Sequence, residues 1–447
     1  MSYAPIDQIV SKRAPPLTGT IPIPGDKSIS HRSLIFGSLA IGTTRVQGLL
    51  EGSDVMSTKD ALVALGVEIN RDDDGIWHIV GVGLNGMTSP VAPLDLGNSG
   101  TGARLLMGVV AGQKITATFC GDASLSTRPM LRITDPLAKM GARVTSREGG
   151  LLPVTIQGSR SLMAANHCSN IASAQIKSAI LLAGLNARGT TIVSEPIASR
   201  DHSESMLRHF GASVSQEVAP DKSHRVKLAD GAKLRAADVI VPSDPSSAAF
   251  AIVAALITPG SDIILPGISM NPLRTGLITT LIEMGGDISK SNHRNEGGEP
   301  IADLRVKYSE LHGVTVPRDR AASMIDEYPI LSVAAAGADG TTEMLGIAEL
   351  RVKETDRIKV MAEGLRSCGV NVYFDEDSMR VTNSTVNGGV TILAARDHRI
   401  AMSFLILGMS AKAPITVEGC ATIETSFPGF AIAMNQLGAS LKHGSSK

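Results

Sequence analysis

A short pattern occurs six times along this 447-residue chain and constrains its fold more than any other feature. In each copy an amphipathic run ends at Leu, Met, Phe or Cys, is followed by glycine, and continues into a β-type apolar segment. The six glycines are Gly66, Gly141, Gly211, Gly285, Gly369 and Gly438. Glycine adopts the left-handed conformation at little cost, so each copy predicts a helix that ends there and a strand that follows at once.

The spacing of the six copies indicates what each repeat contains. A period of about 70 residues has room for two helices and several strands, which together make one small α/β unit. The chain is too long for one ordinary domain, and three copies lie on each side of Pro242. We therefore expect two similar α/β domains at residues 19–242 and 243–447, with residues 1–18 joining the later domain and a ligand-binding cleft between the two.

Charge and apolar patterning exclude several classes of protein. Lysine and arginine (42) nearly balance aspartate and glutamate (43), which argues against nucleic acid or a membrane surface as a partner. The apolar stretch 248–258 is well short of the roughly 20 residues that cross a bilayer, and it predicts a buried helix. Residues 1–20 lack the apolar core of a secretory signal, so a cytoplasmic location is expected.

Cysteine and histidine give no support for a metal site. Cys120, Cys168, Cys368 and Cys420 lie far apart without Cys-x-x-Cys spacing, and buried free thiols are expected. The ten histidines form neither His-Glu-x-x-His nor a Cys/His cluster. Because Gly-x-Ser-x-Gly is also absent, a serine hydrolase is disfavoured. No metal and no cofactor are expected.

The segment 25–32, Gly-Asp-Lys-Ser-Ile-Ser-His-Arg, follows a predicted strand and opens a predicted helix. Helix N-termini favour phosphate, because their N–H groups and the helix dipole point at the anion. Ser28 or Ser30 could cap this helix, with Lys27 at its mouth. Asp26 separates the glycine from the lysine, so the segment departs from an ATP-binding P-loop. The plain alternative is a capped helix with solvated charges.

Two further junctions in the first half combine glycine or polar residues with a helix start. The glycines of segment 97–102, Gly-Asn-Ser-Gly-Thr-Gly, do not match the dinucleotide-binding spacing, and they favour close approach of the backbone to a small ligand. Ser173 is predicted to cap a helix whose first turn contains Gln175. Each junction alone is weak support for a ligand site.

Charged residues crowd three junctions in the second half. Asp326 precedes a predicted helix, and taken alone it is better explained as an N-cap than as a catalytic group. The segment 349–357 brings opposite charges together, for which a structural ion-pair network is the competing explanation. Asp397 is predicted to cap a helix with Arg399 in its first turn.

Taken in order, these motifs resemble the 5-enolpyruvylshikimate-3-phosphate synthase family over nearly the whole chain. The most specific pieces are Pro24-Gly-Asp-Lys-Ser-Ile-Ser-His-Arg32, Gly97-Asn-Ser-Gly-Thr101, Ser126-Thr-Arg-Pro-Met130, Arg351-Val-Lys-Glu-Thr-Asp-Arg357 and Asp397-His-Arg-Ile-Ala-Met402. The resemblance implies two domains, each of three βαβαββ units, in agreement with the six repeats. It also implies transfer of the carboxyvinyl group of phosphoenolpyruvate to the 5-hydroxyl of shikimate 3-phosphate, a step towards chorismate and the aromatic amino acids.

The resemblance also implies roles for individual residues. Proton transfer is expected from Asp326, Glu354 and Lys27. Shikimate 3-phosphate is expected to contact Lys27, Ser28, Arg32, Ser173, Ala174, Gln175, Arg200, Asp326 and Lys353. Phosphoenolpyruvate is expected to contact Lys27, Gly100, Arg128, Gln175, Arg357 and Arg399. A monomer that acts on these two small molecules, without macromolecular partners, is expected.

Two departures from the family pattern and two rival functions bear on this interpretation. The segment 424–429, Glu-Thr-Ser-Phe-Pro-Gly, lacks a lysine that the family often has there. Position 100 is glycine, from which we expect that glyphosate, the inhibitor of this family, can enter the donor pocket. The related UDP-N-acetylglucosamine carboxyvinyltransferases usually have a reactive cysteine where this chain has Ala123. A non-catalytic phosphosugar-binding protein is the rival of another class.

Overall fold

A computed structural model describes residues 7–444, whose strands form six four-stranded sheets with one common order. In every sheet one edge strand runs parallel to its neighbour, that neighbour pairs antiparallel with the next strand, and the fourth strand lies at the other edge. The helices between these strands complete βαβαββ units. The predicted α/β fold of six such repeats is therefore confirmed.

The helices and strands of residues 7–444 follow in chain order. The α-helices are α1 (Lys27–Leu39), α2 (Ser53–Ala64), α3 (Gly100–Ala111), α4 (Leu131–Met140), α5 (Ala174–Gly184), α6 (His202–His209), α7 (Pro245–Ile257), α8 (Gly276–Glu283), α9 (Ala321–Met324), α10 (Tyr328–Gly337), α11 (Arg357–Ser367), α12 (His398–Gly408) and α13 (Phe430–Gln436). The strands of the first half are β1 (Gln8–Ser11), β2 (Thr18–Thr20), β3 (Ile41–Gln47), β4 (Glu68–Arg71), β5 (Trp77–Val82), β6 (Leu94–Asp95), β7 (Thr116–Cys120), β8 (Arg143–Arg147), β9 (Leu151–Gln157), β10 (Asn166–Cys168), β11 (Thr191–Glu195), β12 (Val214–Val218), β13 (His224–Leu228) and β14 (Val239–Ile240). Those of the second half are β15 (Asp262–Ser269), β16 (Asp287–Glu296), β17 (Glu299–Lys307), β18 (Thr315–Val316), β19 (Thr341–Leu345), β20 (Asn371–Phe374), β21 (Ser378–Thr382), β22 (Thr391–Leu393), β23 (Ile415–Glu418) and β24 (Leu441–His443).

The six repeat glycines are the local signal that the fold uses most directly. Their φ angles lie between 89° and 113°, in the left-handed region that side chains with a Cβ rarely adopt. They follow the ends of α2, α4, α6, α8, α11 and α13 and precede β4, β8, β12, β16, β20 and β24. The prediction of a helix, a glycine and an immediate strand in each copy is confirmed.

Two compact units divide the chain. One contains Gly25–Val241 and the short segment Glu296–Gly298, and we call it the Lys27 unit. The other contains the remaining described residues, and we call it the Asp326 unit. Strand β1 lies between β23 and β24, and β2 pairs with β15, so residues 19–24, which the sequence analysis assigned to the first domain, belong to the Asp326 unit.

Each unit has its own apolar core around three buried helices, one from each repeat. In the Lys27 unit these are α1, α3 and α5, and in the Asp326 unit they are α7, α10 and α12. Helices that are apolar on all sides are stable only when surrounded by protein, and small residues let them pack closely. The predicted buried helix at 248–258 is confirmed as part of α7, which extends from Pro245 to Ile257.

Several local expectations are corrected. Helix α1 is capped by Asp26, whose side chain accepts from the Ile29 N–H at 2.8 Å, and not by Ser28 or Ser30. Asp326 caps no helix, since α10 begins two residues later and has no side-chain cap. Of the four thiols, Cys368 and Cys420 are buried as expected, whereas Cys168 is exposed and Cys120 is half-buried. None of the helices between residues 7 and 444 has the length and apolarity to cross a membrane.

Candidate active site

The predicted site residues fall into two groups, one in each unit, and the first group begins at the mouth of α1. Lys27 is the first residue of α1, and its ammonium group forms an ion pair with the carboxylate of Asp54 on α2. Both side chains are largely buried, at 17% and 10% exposure. The Asp54 carboxylate therefore fixes the position of the Lys27 ammonium group. Ser28 lies half-buried beside it.

Arg32 lies one turn into α1 and is nearly inaccessible, at 3% exposure. Its Nε donates to Ser203 at 2.7 Å, its Nη1 to the Ser28 carbonyl at 3.0 Å and its Nη2 to Ser178 at 2.8 Å. The two serine hydroxyls also bond to each other at 2.6 Å. Arg32 therefore connects α1 to α5 and α6, and it also binds the backbone carbonyl of Ser28.

Gly100 starts α3, with Ser99 as its cap. A methyl group placed on Gly100 would lie 3.1 Å from Nη1 of both Arg104 and Arg128, which is closer than most real Cβ contacts. Arg128 is 7% exposed; its guanidinium donates to the amide oxygen of Asn98 and, at 3.1 Å, to Ser124. Glycine at this position thus permits two guanidinium groups to stand directly over the backbone at the start of the helix.

Gln175 occupies the first turn of α5 and connects it to α3. Its side-chain oxygen accepts from Arg104 Nη1 at 2.7 Å, and its nitrogen donates to the Thr101 hydroxyl at 3.0 Å. The preceding residues are the predicted cap Ser173 and half-buried Ala174; the Ser173 hydroxyl accepts from Ile176 N–H at 3.5 Å. Arg104 therefore links Gln175 to Gly100, next to which Arg128 also lies.

Arg200 lies in the segment between β11 and α6, where it is half-buried. The residue before it, Ser199, is buried, and its hydroxyl lies 2.9 and 2.8 Å from the two carboxylate oxygens of Glu195. The same carboxylate accepts from the Ser173 N–H at 2.8 Å. Two segments that are distant in sequence, around Ser173 and around Arg200, thus meet at one buried glutamate.

The second group centres on Arg357, the first residue of α11, whose side chain is 1% exposed. Its Nε donates to Asp397 at 2.8 Å, its Nη1 to Asp326 at 3.2 Å and its Nη2 to Glu354 at 2.6 Å. Burial alone would lower the pKa of Arg357, but the charges of Asp397, Glu354 and Asp326 raise it well above its usual value. One guanidinium therefore positions both predicted proton-transfer carboxylates.

Lys353 and Arg399 complete the second group. The ammonium of Lys353 lies 3.6 Å from the Asp326 carboxylate, and Arg399 Nη1 donates to the Asp326 carbonyl at 3.1 Å. Arg399 also lies 3.5 Å from the carboxylate of Glu327, which is 2% exposed and accepts a hydrogen bond from Ser246. Of the five residues predicted in the second half, four lie within one ion-pair network, namely Asp326, Lys353, Glu354 and Arg357. Arg399 joins this network through its hydrogen bond to the Asp326 carbonyl. The sequence analysis had weighed such a network as the competing explanation of segment 349–357.

Several residues that shape the two groups were not predicted as site residues from the sequence. Asp54 and Glu195 contact predicted site residues but lie in segments without a motif. Arg104, which contacts Gln175, lies just after the glycine-rich segment 97–102 and was given no role. Asp397 was predicted as a cap, which is confirmed by its bond to the Arg399 N–H at 2.9 Å, but its pairing with Arg357 was not foreseen. Within residues 7–444, no three His, Cys, Asp or Glu side chains are gathered as a metal ion would need.

Comparison with known proteins assigns the family. A sequence model for EPSP synthase (3-phosphoshikimate 1-carboxyvinyltransferase) matches residues 12–434. The chain belongs to the EPSP synthase family. A 3-phosphoshikimate 1-carboxyvinyltransferase of Methylorubrum populi is 57% identical over 441 residues, which cover 98% of this chain and 97% of the relative. One of Parvibaculum lavamentivorans is 56% identical over 426 residues, covering 95% and 94%.

Solved structures agree with the family assignment. The structure of EPSP synthase from Acinetobacter baumannii has a TM-score of 0.86 and 44% identity, and the match covers 98% of this chain and 99% of that one. The enolpyruvyl transferase NikO from Streptomyces tendae has a TM-score of 0.76 at 16% identity, over 99% and 100% of the two chains, and this likeness is one of fold alone. The resemblance drawn from the motifs is confirmed.

Proposed function

We propose that this protein transfers the carboxyvinyl group of phosphoenolpyruvate to the 5-hydroxyl of shikimate 3-phosphate and releases phosphate. The observation that carries the proposal is its place in the EPSP synthase family, with relatives of that name 57% identical across 98% of the chain. The product, 5-enolpyruvylshikimate 3-phosphate, leads to chorismate and the aromatic amino acids. Because phosphoenolpyruvate and the acceptor belong to central biosynthesis, we propose that the enzyme works in the cytoplasm. We also propose that it acts as a monomer.

Each substrate carries a phosphate and a carboxylate, so the proposed binding residues must supply several positive charges. For shikimate 3-phosphate we propose Lys27, Ser28, Arg32, Ser173, Ala174, Gln175, Arg200, Asp326 and Lys353. For phosphoenolpyruvate we propose Lys27, Gly100, Arg128, Gln175, Arg357 and Arg399. Guanidinium groups suit this task because they bind carboxylate and phosphate oxygens in pairs. The fixed partners of Arg128 and Arg357 support it, since they hold these groups in orientation before a ligand arrives.

The proposed chemistry is addition followed by elimination. The 5-hydroxyl oxygen bonds to C2 of phosphoenolpyruvate and gives its proton to Asp326, while Glu354 delivers a proton to C3, which yields a tetrahedral intermediate. In the second step C3 returns its proton to the Glu354 carboxylate, the C2–O bond to phosphate breaks with release of inorganic phosphate, and the enol ether forms. Lys27 shares in proton transfer at the donor. Positioned acids and bases of this kind contribute on the order of 10² to 10⁴ in rate.

The proposal is tested by incubating the purified protein with its substrates and measuring the inorganic phosphate that the reaction releases. Phosphate should appear only when shikimate 3-phosphate and phosphoenolpyruvate are both present, and Asp326→Asn and Glu354→Gln should each reduce the rate by at least about 100-fold. Asp377→Asn is a matched control, because this carboxylate of the same unit pairs with exposed Arg318. Wild-type protein that releases no phosphate with both substrates would refute the proposed function. Full activity of the Asp326 and Glu354 variants would contradict the proton-transfer roles proposed for these two carboxylates. Wild-type protein that binds shikimate 3-phosphate but releases no phosphate with both substrates would favour the phosphosugar-binding alternative.

Substitution of the acceptor tests the nearest rival function. UDP-N-acetylglucosamine should not replace shikimate 3-phosphate, since Ala123 stands where that related family usually has its reactive cysteine. Glyphosate should compete with phosphoenolpyruvate, because Gly100 has no side chain that fills the donor pocket. Activity that is unaffected by micromolar glyphosate at limiting phosphoenolpyruvate would contradict the proposed pocket.

A further inference from the structure

A fully buried ion cluster lies beneath two segments of the Lys27 unit that the proposed function assigns to the acceptor. Lys177 on α5 is 2% exposed, and its ammonium lies 3.0 Å from Glu195, at the end of β11, and 2.9 Å from Glu204 on α6. The two carboxylates are 3% and 0% exposed. None of these three side chains has a part in the proposed chemistry.

Glu195 connects the two acceptor segments directly. Its carboxylate accepts from the Ser173 N–H at 2.8 Å, at the residue that caps α5. It also accepts from the Ser199 hydroxyl at 2.8 Å and from the Ser199 N–H at 3.4 Å, immediately before Arg200. One buried carboxylate therefore fixes both the orientation of the Ser173 backbone and the position of Ser199, the residue before Arg200.

Lys177 contacts both Glu195 and the segment that contains Ser199. It donates to the Ser199 carbonyl at 3.2 Å and pairs with Glu195. Burial alone would lower the pKa of Lys177, but the charges of Glu204 and Glu195 raise it, so the group stays protonated. Glu204, by contrast, contacts Lys177 and, at 3.4 Å, Gln216, and neither of these bonds involves the acceptor segments.

Stability alone is a poor reason for this arrangement. Removing three charged groups from water costs about as much as their attraction returns, and apolar residues of similar volume often stabilise a protein as well. Fixed orientation is what a hydrogen-bonded ion cluster supplies and an apolar core does not. Groups that bind a substrate must be held to within about half an ångström of their working positions.

We propose that Glu195 is a positioning residue for the acceptor: together with Lys177 it fixes the spacing between Ser173 and Arg200, and so it determines how tightly shikimate 3-phosphate binds. The inference rests on the proposed function, in which Ser173 and Arg200 contact the acceptor. It makes a selective claim, because Glu195 bonds directly to the segments of Ser173 and Arg200, which are assigned to the acceptor alone. Residues assigned to phosphoenolpyruvate are held by other groups: Arg128 by Asn98 and Ser124, and Gln175, which is assigned to both substrates, by Arg104 and Thr101.

Glu195→Gln and Glu204→Gln form a matched pair for the test. Each variant neutralises one of the two buried carboxylates of Lys177, but only the first changes the bonds to Ser173 and Ser199. We expect Glu195→Gln to raise KM and Kd for shikimate 3-phosphate by about tenfold or more. The reason is that the new amide NH2 group would face hydrogen-bond donors, either the Ser173 and Ser199 N–H groups or the Lys177 ammonium. KM for phosphoenolpyruvate should change by less than about twofold, and Glu204→Gln should leave Kd for the acceptor within about threefold.

Acceptor affinity is measured by calorimetry with shikimate 3-phosphate alone, and the kinetic constants by phosphate release. Equal acceptor Kd for the two variants, or a parallel rise of both KM values in Glu195→Gln, would overturn the inference. If Glu195→Gln does not fold, Ser199→Ala decides, since it removes only the hydroxyl bonds to Glu195. Acceptor Kd should then rise by about threefold or more, and an unchanged value overturns the inference. Failure of the proposed function is distinct: wild-type protein would release no phosphate.

Discussion

Asp397 has two separable tasks, and its substitution by asparagine tests how much a buried charge pair contributes. The side chain is inaccessible. Oδ1 accepts from the Arg399 N–H at 2.9 Å as the cap of α12 and from Arg357 Nη2 at 3.3 Å, and Oδ2 accepts from Arg357 Nε at 2.8 Å. Asparagine can keep the cap through its oxygen, but its amide nitrogen would face the Arg357 donor. Removing one member of a buried pair costs about 3–5 kcal/mol. Arg357 keeps two other carboxylates, so we expect about 3 kcal/mol, the lower end.

Asp356→Asn provides the matched control. Asp356 also caps a helix, α11, through the Lys359 N–H at 3.1 Å, and also pairs with an arginine, Arg351, at 2.6 Å. Its side chain is 31% exposed and that of Arg351 is 28% exposed, so this pair should contribute only about 0.2–1 kcal/mol. In both variants an Asp that caps an α-helix and pairs with an arginine is replaced by Asn. The two variants differ in whether the charge pair is buried.

Urea unfolding followed by far-ultraviolet circular dichroism measures both variants at pH 7.5. With a slope of about 3 kcal/mol per molar urea, Asp397→Asn should lower the midpoint by about 1 M and Asp356→Asn by no more than about 0.3 M. Equal midpoints for the two variants would refute the reasoning, because they would mean that burial adds nothing to the cost of breaking the pair.

Three further predictions concern backbone, pH and donor binding. Gly211→Ala should lower the free energy of unfolding by about 1–2 kcal/mol, because φ is 94° there, although no neighbouring atom lies closer than 3.6 Å to the new methyl group. Gly337→Ala, in a helix with free space around it, should raise the free energy of unfolding by about 0.4–1 kcal/mol. Equal denaturation midpoints for the two variants would contradict both values. Burial and then two neighbouring cations lower the pKa of His31 well below 6.5, so the folded protein cannot take up the proton that the unfolded chain binds. Stability should therefore fall by up to about 1.4 kcal/mol per pH unit below pH 6.5, and His31→Gln should reduce that slope; identical slopes would exclude His31 as its source. Gly100→Ala should raise KM for phosphoenolpyruvate by about tenfold or more, since the methyl presses on Arg128, with KM for the acceptor changed less than about threefold; the opposite pattern would contradict the donor assignment.

Features that depend on neighbouring residues could be predicted from the sequence. A glycine after an amphipathic run predicts a helix end because the signal depends only on the φ angle of that one residue. All six such glycines have the positive φ angle that was predicted. Ser173 and Asp397 cap helices as expected, since a cap bonds within two or three residues. For α1, three polar residues stood within one turn, and local rules could not choose Asp26 over Ser28 or Ser30.

Features that depend on residues far apart in the chain could not be predicted. Local rules left open that Arg32 is a solvated charge at a helix start, yet α5 and α6 cover it and supply its serine partners. Glu195 stands in a segment without a motif, and its importance follows only from Ser173, which precedes it by a helix and a strand. A burial pattern marks such residues as inside a protein, but it does not say which partners they meet.

The route of the chain through its two units has a consequence for synthesis on the ribosome. Strand β1 is made first, yet both strands that flank it, β23 and β24, are made last. At about 5–20 residues per second, the intervening 400 or so residues take roughly 20–80 s to emerge. The Lys27 unit can acquire its core during that interval, whereas the opening strand waits with unpaired backbone groups for its neighbours. Nascent chains stalled after Val241 has left the ribosome should therefore resist protease from Gly25 onward while residues 7–24 are still cut.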